Sequence, residues 1–544
     1  MPTRLPAALT PLRHTVYRRL WLAYVITSLG TWLQNTGAGW LMTSLSPSPL
    51  VVAMVQAATI LPAFLLALPG GALADIIDKR RFLIGTQAWT MVAAALLAGA
   101  TLAGHISALG LLSATFAIGI GAALTAPAWA AIVPELVPRG DLVGAIALNG
   151  IGFNIARALG PALAGFLVLA GGSGLAFSCF AVSIVAVIWA LAIWRRRARA
   201  AVGGLPREHL LGAMRAGMRF VRHSPAMRAA MLRIFAYSLP AAAPWSLLPL
   251  VVRRELGLGP GMYGLILGLM GGGGVLSGLL LPRVTRVLSR GGTVMAAGLA
   301  SATGMVLLGL ARNWELAAFA MALFGTGWVA SFSVVQAAAQ LVAPPWVRAR
   351  SLAIYQLAYN GALTLGAFGW GWLGGLIGLP ATLLAAGISG GAIAVAVRGF
   401  SLDQPLARPP AGAAPPEPEP EAPPAPELAP LLARGHLLET VRYRVDPGQR
   451  GAFLALLTEI REARGRAGVR SWQLYEDVTR PDAWMEVWSS ESWTDHLRET
   501  ARLAPADLGL LARVAGFRLP DAPAHPRSWV AVDPERAAEG REAR

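Results

Sequence analysis

Cysteine, lysine and acidic residues are scarce in this sequence, and each scarcity excludes something. The one cysteine, Cys179, lies in an apolar run, so there is no disulfide framework and no cysteine-built zinc site. Lys79 is the only lysine among 46 basic residues, and the positive charge is therefore almost entirely arginine. Only 14% of the 544 residues are charged, where soluble domains carry about 25%. That rules out a string of ordinary soluble domains and disorder over most of the length. Residues 1–400 hold seven acids (Asp75, Asp78, Glu135, Asp141, Glu208, Glu255 and Glu315), all at expected helix ends or loops. A phosphate-binding loop of the form Gly-x-x-x-x-Gly-Lys-Ser/Thr is missing, which excludes ATP drive within the chain. No cofactor or metal is expected.

Long apolar runs are abundant. A membrane-spanning helix needs about 20 mostly apolar residues, and twelve such stretches can be placed, near 17–42, 48–73, 82–103, 107–133, 141–170, 173–194, 229–252, 259–282, 291–311, 314–342, 349–376 and 378–398. Residues 1–400 carry a net +21 and residues 401–544 a net −4. The arginines lie between apolar runs rather than on one basic module, which favours a lipid bilayer over nucleic acid as partner. Alternate loops are rich in arginine (Arg139, Arg195 to Arg199, Arg283, Arg286, Arg290, Arg348, Arg350), while the opposite set holds three. The excess of positive charge marks the cytoplasmic side and puts both termini there. Between the sixth and seventh stretches, Leu210, Met214, Met218 and Val221 follow helical spacing opposite Arg207, Arg215, Arg219 and Arg222. This basic amphipathic helix suits an anionic leaflet, and a plain solvated connector fits it as well.

Arg157 is the clear ionisable residue in the middle of a span, and such residues are costly unless they serve a purpose. Asn149 shares its helical face and Asn154 lies one turn away. A guanidinium there can bind a carboxylate, catecholate or phosphate, or clamp neighbouring helices. Gln34, Asn35, Gln336, Gln356, Tyr359 and Asn360 are further candidates for lining a solute pathway. Residues 147–160 align weakly with 353–366, Asn154 matching Asn360, which pairs the fifth span with the eleventh and makes the halves six plus six.

Two six-span halves, a long central loop and the segment Gly71-Ala-Leu-Ala-Asp75-Ile-Ile-Asp78-Lys79-Arg80-Arg81 resemble the major facilitator superfamily. Ile76 and Asp78 depart from that family's usual Arg and Gly. Gly152 with Gly160-Pro161-Ala-Leu-Ala-Gly165 is similar to the Gly-Pro motif of its exporters, and Pro134 to Asn149 resembles the enterobactin-exporter branch, the transmembrane secretion effectors. The resemblance implies a secondary exporter of siderophore-like or drug-like small molecules in the bacterial inner membrane, working as an antiporter. No mid-span acid supports proton coupling.

After a Pro/Glu-rich linker the pattern turns globular, with strands at 437–445, 469–476, 484–488 and 528–532 and helices between them. The order β-α-β-β-α-β predicts a ferredoxin-like unit, and it resembles the dimeric α+β barrel of antibiotic biosynthesis monooxygenase-like domains. Trp472, Trp484 and Trp488 are expected on its uncovered sheet face, which implies a homodimer through residues 435–533. His496 is a weak acid–base candidate. The expected organisation is thus an all-α membrane protein (halves at 1–194 and 229–400, loop 195–228), a linker at 401–434, the α+β domain, and a disordered end at 534–544. Besides a non-enzymatic exporter, a membrane-tethered monooxygenase-like enzyme and a non-transporting sensor remain open.

Overall fold

The computed structural model describes residues 7–194, 210–344, 346–402, 436–517 and 526–530, without the side chains at 67–72, 74–76, 139, 210, 211 and 213. The chain divides into two compact units. One comprises residues up to 200 with 229–338 and 355–403, and the other comprises 201–228, 339–354 and everything from 404 onward.

The first unit is built of long helices: α1 (Thr15–Leu45), α2 (Pro49–Ile76), α3 (Lys79–Leu102), α4 (Ala108–Leu136), α5 (Leu142–Ile193) and, after α6 (Leu210–His223) of the second unit, α7 (Pro225–Leu250), α8 (Pro260–Val287), α9 (Arg290–Leu310), α10 (Trp314–Val342), α11 (Arg348–Ile377) and α12 (Leu379–Ala396). Among the described residues nine helices are long and apolar enough to cross a membrane. A helix suits lipid because it satisfies its own backbone. Their ends follow local chemistry. Asp78 caps α3 by accepting from the Arg81 N–H at 3.0 Å, Ser107 and Ser289 cap α4 and α9, and Pro49 and Pro260 stand in the first turns of α2 and α8. Helix α5 takes in both the fifth and sixth expected spans and breaks at Gly171-Gly172, where Gly172 has φ +74°. Helices α1 and α11 are equally long, 31 and 30 residues, yet fall outside the nine. Gln34, Asn35, Gln356 and Asn360 interrupt their apolar character.

Glycine sets how closely these helices approach, as expected where lipid offers no hydrophobic drive for association. On α5 and α8 a Cβ at Gly165 would lie 2.7 Å from the Pro260 carbonyl oxygen, and one at Gly264 would lie 2.4 Å from that of Pro161. Gly160 receives the Trp32 ring and Gly152 the Val25 side chain, both from α1.

In the second unit, β1 (Leu437–Arg444), α13 (Arg450–Ala467), β2 (Ser471–Glu476), β3 (Ala483–Ser490), α14 (Trp493–Ala501), α15 (Pro505–Ala515) and β4 (Arg527–Val530) form an antiparallel sheet of order β2-β3-β1-β4 with its helices. Its core joins Tyr443, Phe453, Leu457, Ile460, Trp484, Trp488 and Val514. Glu486 is fully buried but well served: Tyr443 Oη and Arg464 Nε donate to it at 2.6 Å and Trp472 Nε1 at 2.8 Å. Such bonds offset the desolvation of a buried charge. The tryptophans therefore do not lie on the open face. Positions 484, 486 and 488 share a parity that points toward α13, because Arg464 and Phe453 supply their partners. The other face presents Leu438, Tyr475 and Trp529, each 42–53% exposed.

The run Gly271 to Gly274 offers a test with its own control. A Cβ on Gly273 would sit 2.0 Å from the Ala322 carbonyl oxygen, whereas one on Gly272 meets nothing within 4 Å. Gly273→Ala is expected to cost about 1–3 kcal/mol by overpacking, and Gly272→Ala to be neutral or to gain up to about 1 kcal/mol of helix propensity. Thermal unfolding of the detergent-purified variants reads the difference; equal midpoints would contradict the packing.

Candidate translocation site

Four helices of the first unit, α1, α7, α10 and α11, supply a wall of aromatic rings. Trp32 of α1 stacks on Trp245 of α7 at 6.2 Å, and Trp245 meets Trp328 of α10 edge-on at 5.6 Å. Trp328 in turn touches Tyr237 at 5.9 Å, Phe324 at 5.9 Å and Tyr359 of α11 at 6.1 Å, and Tyr359 lies 5.0 Å from Phe332. Tyr237 Oη shares a 2.7 Å hydrogen bond with Ser301 Oγ of α9. Contacts of this kind are worth about 0.5–1.5 kcal/mol each beyond burial, so the wall is firm as well as apolar.

Arg157 of α5 stands at the edge of this wall. Its Nη2 donates to Asn154 Oδ1 at 2.9 Å, it interacts electrostatically with Tyr359, and its guanidinium lies along α8 because Gly274 has no side chain to block it. The helices that build the wall also carry buried polar atoms without a hydrogen-bond partner among the described residues: Gln34 Nε2, Asn35 Oδ1, Trp245 Nε1, Tyr355 Oη and Gln356 Oε1. Buried polar groups are ordinarily bonded. A set of them on α1, α7 and α11 suits a polar solute or water. Gln336 and Asn360 are half-buried on α10 and α11. Asn149 accepts from Tyr17 Oη at 3.3 Å, which ties the start of α5 to α1.

One end of this site is sealed. Helix α7 finishes in a π-helical turn, Val251–Glu255, that presents two arginines. Arg253 donates to Thr43 Oγ1 at 2.8 Å and Ser44 Oγ at 3.0 Å, and Arg254 to the Pro47 carbonyl at 2.6 Å. Arg253 also lies 5.6 Å from the centre of the Trp40 ring, which stacks on Tyr263 at 5.8 Å. The Gly165–Gly264 contact falls at the same end. Toward the other end α5 and α8 part. Gly278 continues the stripe of Gly264, Gly268 and Gly271, yet a Cβ there meets nothing within 4 Å, and Asn154 and Ile151 are exposed. Sequence reasoning counted Arg253 and Arg254 only as charge. Two adjacent arginines in the arginine-poor set of loops were the available signal.

The loop after α2 is structural where it can be followed. Lys79 Nζ pairs with Glu135 Oε1 at 2.9 Å and Arg80 Nε donates to the Leu191 carbonyl at 2.8 Å, tying α3 to α4 and α5; Arg81 is exposed. Gly71 and Asp75 lie on α2, and their surroundings fall outside the described residues. His496 is buried against Glu439 inside the small domain.

The family described as transmembrane secretion effector matches residues 6–536. The chain belongs to that family. This transmembrane secretion effector is accordingly a membrane transporter of the major facilitator type and not an enzyme. It is 30% identical over 143 residues to the staphyloferrin A transporter of Staphylococcus aureus (strain NCTC 8325 / PS 47), a match covering 26% of this chain and only 36% of that protein. Its fold is similar to a POT family transporter in complex with 5-aminolevulinic acid (TM-score 0.59, 13% identity, 71% of this chain and 96% of that one). It is likewise similar to a D-xylose–proton symporter (TM-score 0.56, 14% identity, 70% and 97%).

For this transmembrane secretion effector, Arg157→Lys retains the charge and loses the planar fork, so initial transport of an anionic solute is expected to fall about tenfold. Arg157→Ala should fall further at an unchanged yield of folded protein. Normal transport by the Ala variant would show that Arg157 neither binds nor gates.

Proposed function

We propose that the protein exports small molecules by alternating access. Its twelve spans form two six-helix halves, 1–194 and 229–400, and both termini face the cytoplasm of a bacterial cell. The twelve spans are the nine apolar helices, with α5 counted twice at its Gly171-Gly172 break, together with α1 and α11. The observation that carries the reading is the asymmetry of the site. Arg253 and Arg254 latch one end, while α5 and α8 diverge at the other beside Arg157 and Asn154. With the arginine-poor loops outside, the site opens inward, the state that loads cargo for export.

The cargo fitting this lining is an anionic, partly aromatic solute of siderophore type. Arg157 holds its carboxylate or catecholate, and the rings Trp32, Trp245, Trp328 and Tyr359 hold its apolar part. Gln34, Asn35, Gln336, Gln356 and Asn360 supply neutral hydrogen bonds, and Gly152, Gly160, Pro161 and Gly165 let α5 rock on its neighbours. The staphyloferrin A transporter among the relatives supports this class of cargo. Residues 435–533 act as a separate α+β domain that pairs with a second copy through the open face holding Leu438, Tyr475 and Trp529.

Two measurements test this. In a Cys179→Ala background, Pro47→Cys and His105→Cys are expected to react with an impermeant maleimide added outside intact cells, and Arg81→Cys and Val287→Cys only after lysis. Reaction at Val287→Cys from outside would overturn the orientation. Compared with cells that have the protein, cells without it are expected to show less of an anionic solute in the spent medium and more of it inside. The opposite redistribution would mean import.

A further inference from the structure

Helix α6 carries the pattern of a helix made for an anionic lipid surface, but one side of it, running through Val221, is already packed against protein. Ala216, Gly217, Phe220 and Val221 are buried, while Arg215 and Met218 are exposed. The C-terminal domain covers part of this side. The His223 ring fills the place a Cβ would take on Gly465 of α13, with ring atoms 2.3–2.7 Å from it. The start of α11 covers the rest, since a Cβ on Gly217 would lie 3.0 Å from Arg350 Cβ and 3.8 Å from Ile354 Cδ1. Both contacts are near the limit of helix approach, and a residue larger than glycine at either site would open them.

Charge and rings complete the junction. Glu491, just past β3, accepts from Arg219 Nη1 at 3.1 Å and lies 3.7 Å from Arg215 Nη1. Behind it Glu499 is buried and accepts from Ser490 Oγ. Burial pushes the Glu499 carboxyl up to about 7, and Arg219 and His496 act in the opposite sense. Trp346, in the turn between α10 and α11, stands where three pieces meet. Phe220 of α6 approaches its ring edge-on at 6.3 Å, and the Arg502 guanidinium of the C-terminal domain covers it at 4.0 Å. Arg502 is itself held, donating to the Ala467 carbonyl at the end of α13 at 3.2 Å.

We propose that the C-terminal domain is an intramolecular clip. Its partner is a composite surface of this same chain, α6 together with the turn from α10 into α11, recognised by two arginines on one helical face and an indole held between a phenyl edge and a guanidinium. Seating of the clip fixes the segments that lead into α7 and α11, and so regulates how readily those helices move. The regulatory half of this inference rests on the transport reading above; the binding half does not.

Hydrogen exchange on the full-length protein tests the binding half, read on peptides covering 214–223 and 346–354. Arg219→Glu places a third carboxylate beside Glu491 and Glu499 and is expected to speed exchange in both segments about tenfold. Glu491→Arg should do the same, and the double variant Arg219→Glu with Glu491→Arg should recover most of the protection. Arg215→Glu, at a side chain 64% exposed, should act in the same direction more weakly and keeps the test open if Arg219→Glu fails to fold. Unchanged exchange in all three single variants, or a double variant as loose as its parents combined, would overturn the clip. For the regulatory half, Glu491→Arg is expected to change the initial transport rate at least twofold and the double variant to restore it. An unchanged rate with both segments loosened would confine the junction to structure.

Discussion

Backbone-to-backbone contact between α5 and α8 is the constraint on which the membrane unit depends. Gly165 against Pro260 and Gly264, and Gly271 against the Arg157 backbone, leave no room for even one methyl group. Helices this close exclude side chains and lipid alike, and in a bilayer their attraction is packing rather than hydrophobic drive. The contact runs along half of the crossing and stops. Where it stops, Gly274 leaves a gap of the size a guanidinium needs, and Arg157 occupies it. The same small residues that join the halves therefore place the cation Arg157 in mid-span.

That placement links packing to chemistry. An isolated arginine in lipid is costly, but here its fork has Asn154 on one side and the Tyr359 hydroxyl on another, at the rim of a wall whose rings fix each other. The amide and indole groups on α1, α7 and α11 that have no partner among the described residues leave hydrogen-bonding capacity for a guest. At the sealed end the arrangement differs. Arg253 and Arg254 bond to hydroxyl and carbonyl oxygens, not carboxylates. Such bonds hold a closed state and release it without separating an ion pair, which suits an interface that must open and reclose.

Much of this was legible in the sequence, for identifiable reasons. Long apolar runs report helices directly, and the polar interruptions Gln34, Asn35, Gln356 and Asn360 stood out because lipid tolerates so few. Arg157 was found for the same reason. The strand order of the small domain followed from alternation and turn residues. What could not be read was which side of an element would be covered. Alternation shows that Trp484 and Trp488 share a face; it does not show that Arg464 and Phe453 of α13 wait there. Periodicity made α6 amphipathic, but lipid and protein satisfy an amphipathic helix equally well, and contacts distant in sequence, such as His223 against Gly465, select protein. Helical phase put Asn149 on the face of Arg157, but it could not show that Tyr17 of α1 would bond to it. The arginine latch depends on a π-helical turn at the end of α7 that no local pattern announces.

The central claim is that the two halves exchange a sealed end for an open one about the glycine contact. Double electron–electron resonance tests it most directly, with spin labels at Ser46 and Leu258 on the sealed end and, separately, at Ala147 and Gly278 on the open end, in a Cys179→Ala background. With the latch intact, the first pair should give a short distance and the second a long one. Replacing Arg253 and Arg254 by Ala should add a longer population to the first pair and a shorter one to the second, since the weakened seal shifts the equilibrium between the two states. Unchanged distances at both ends in the latch variant would contradict the account.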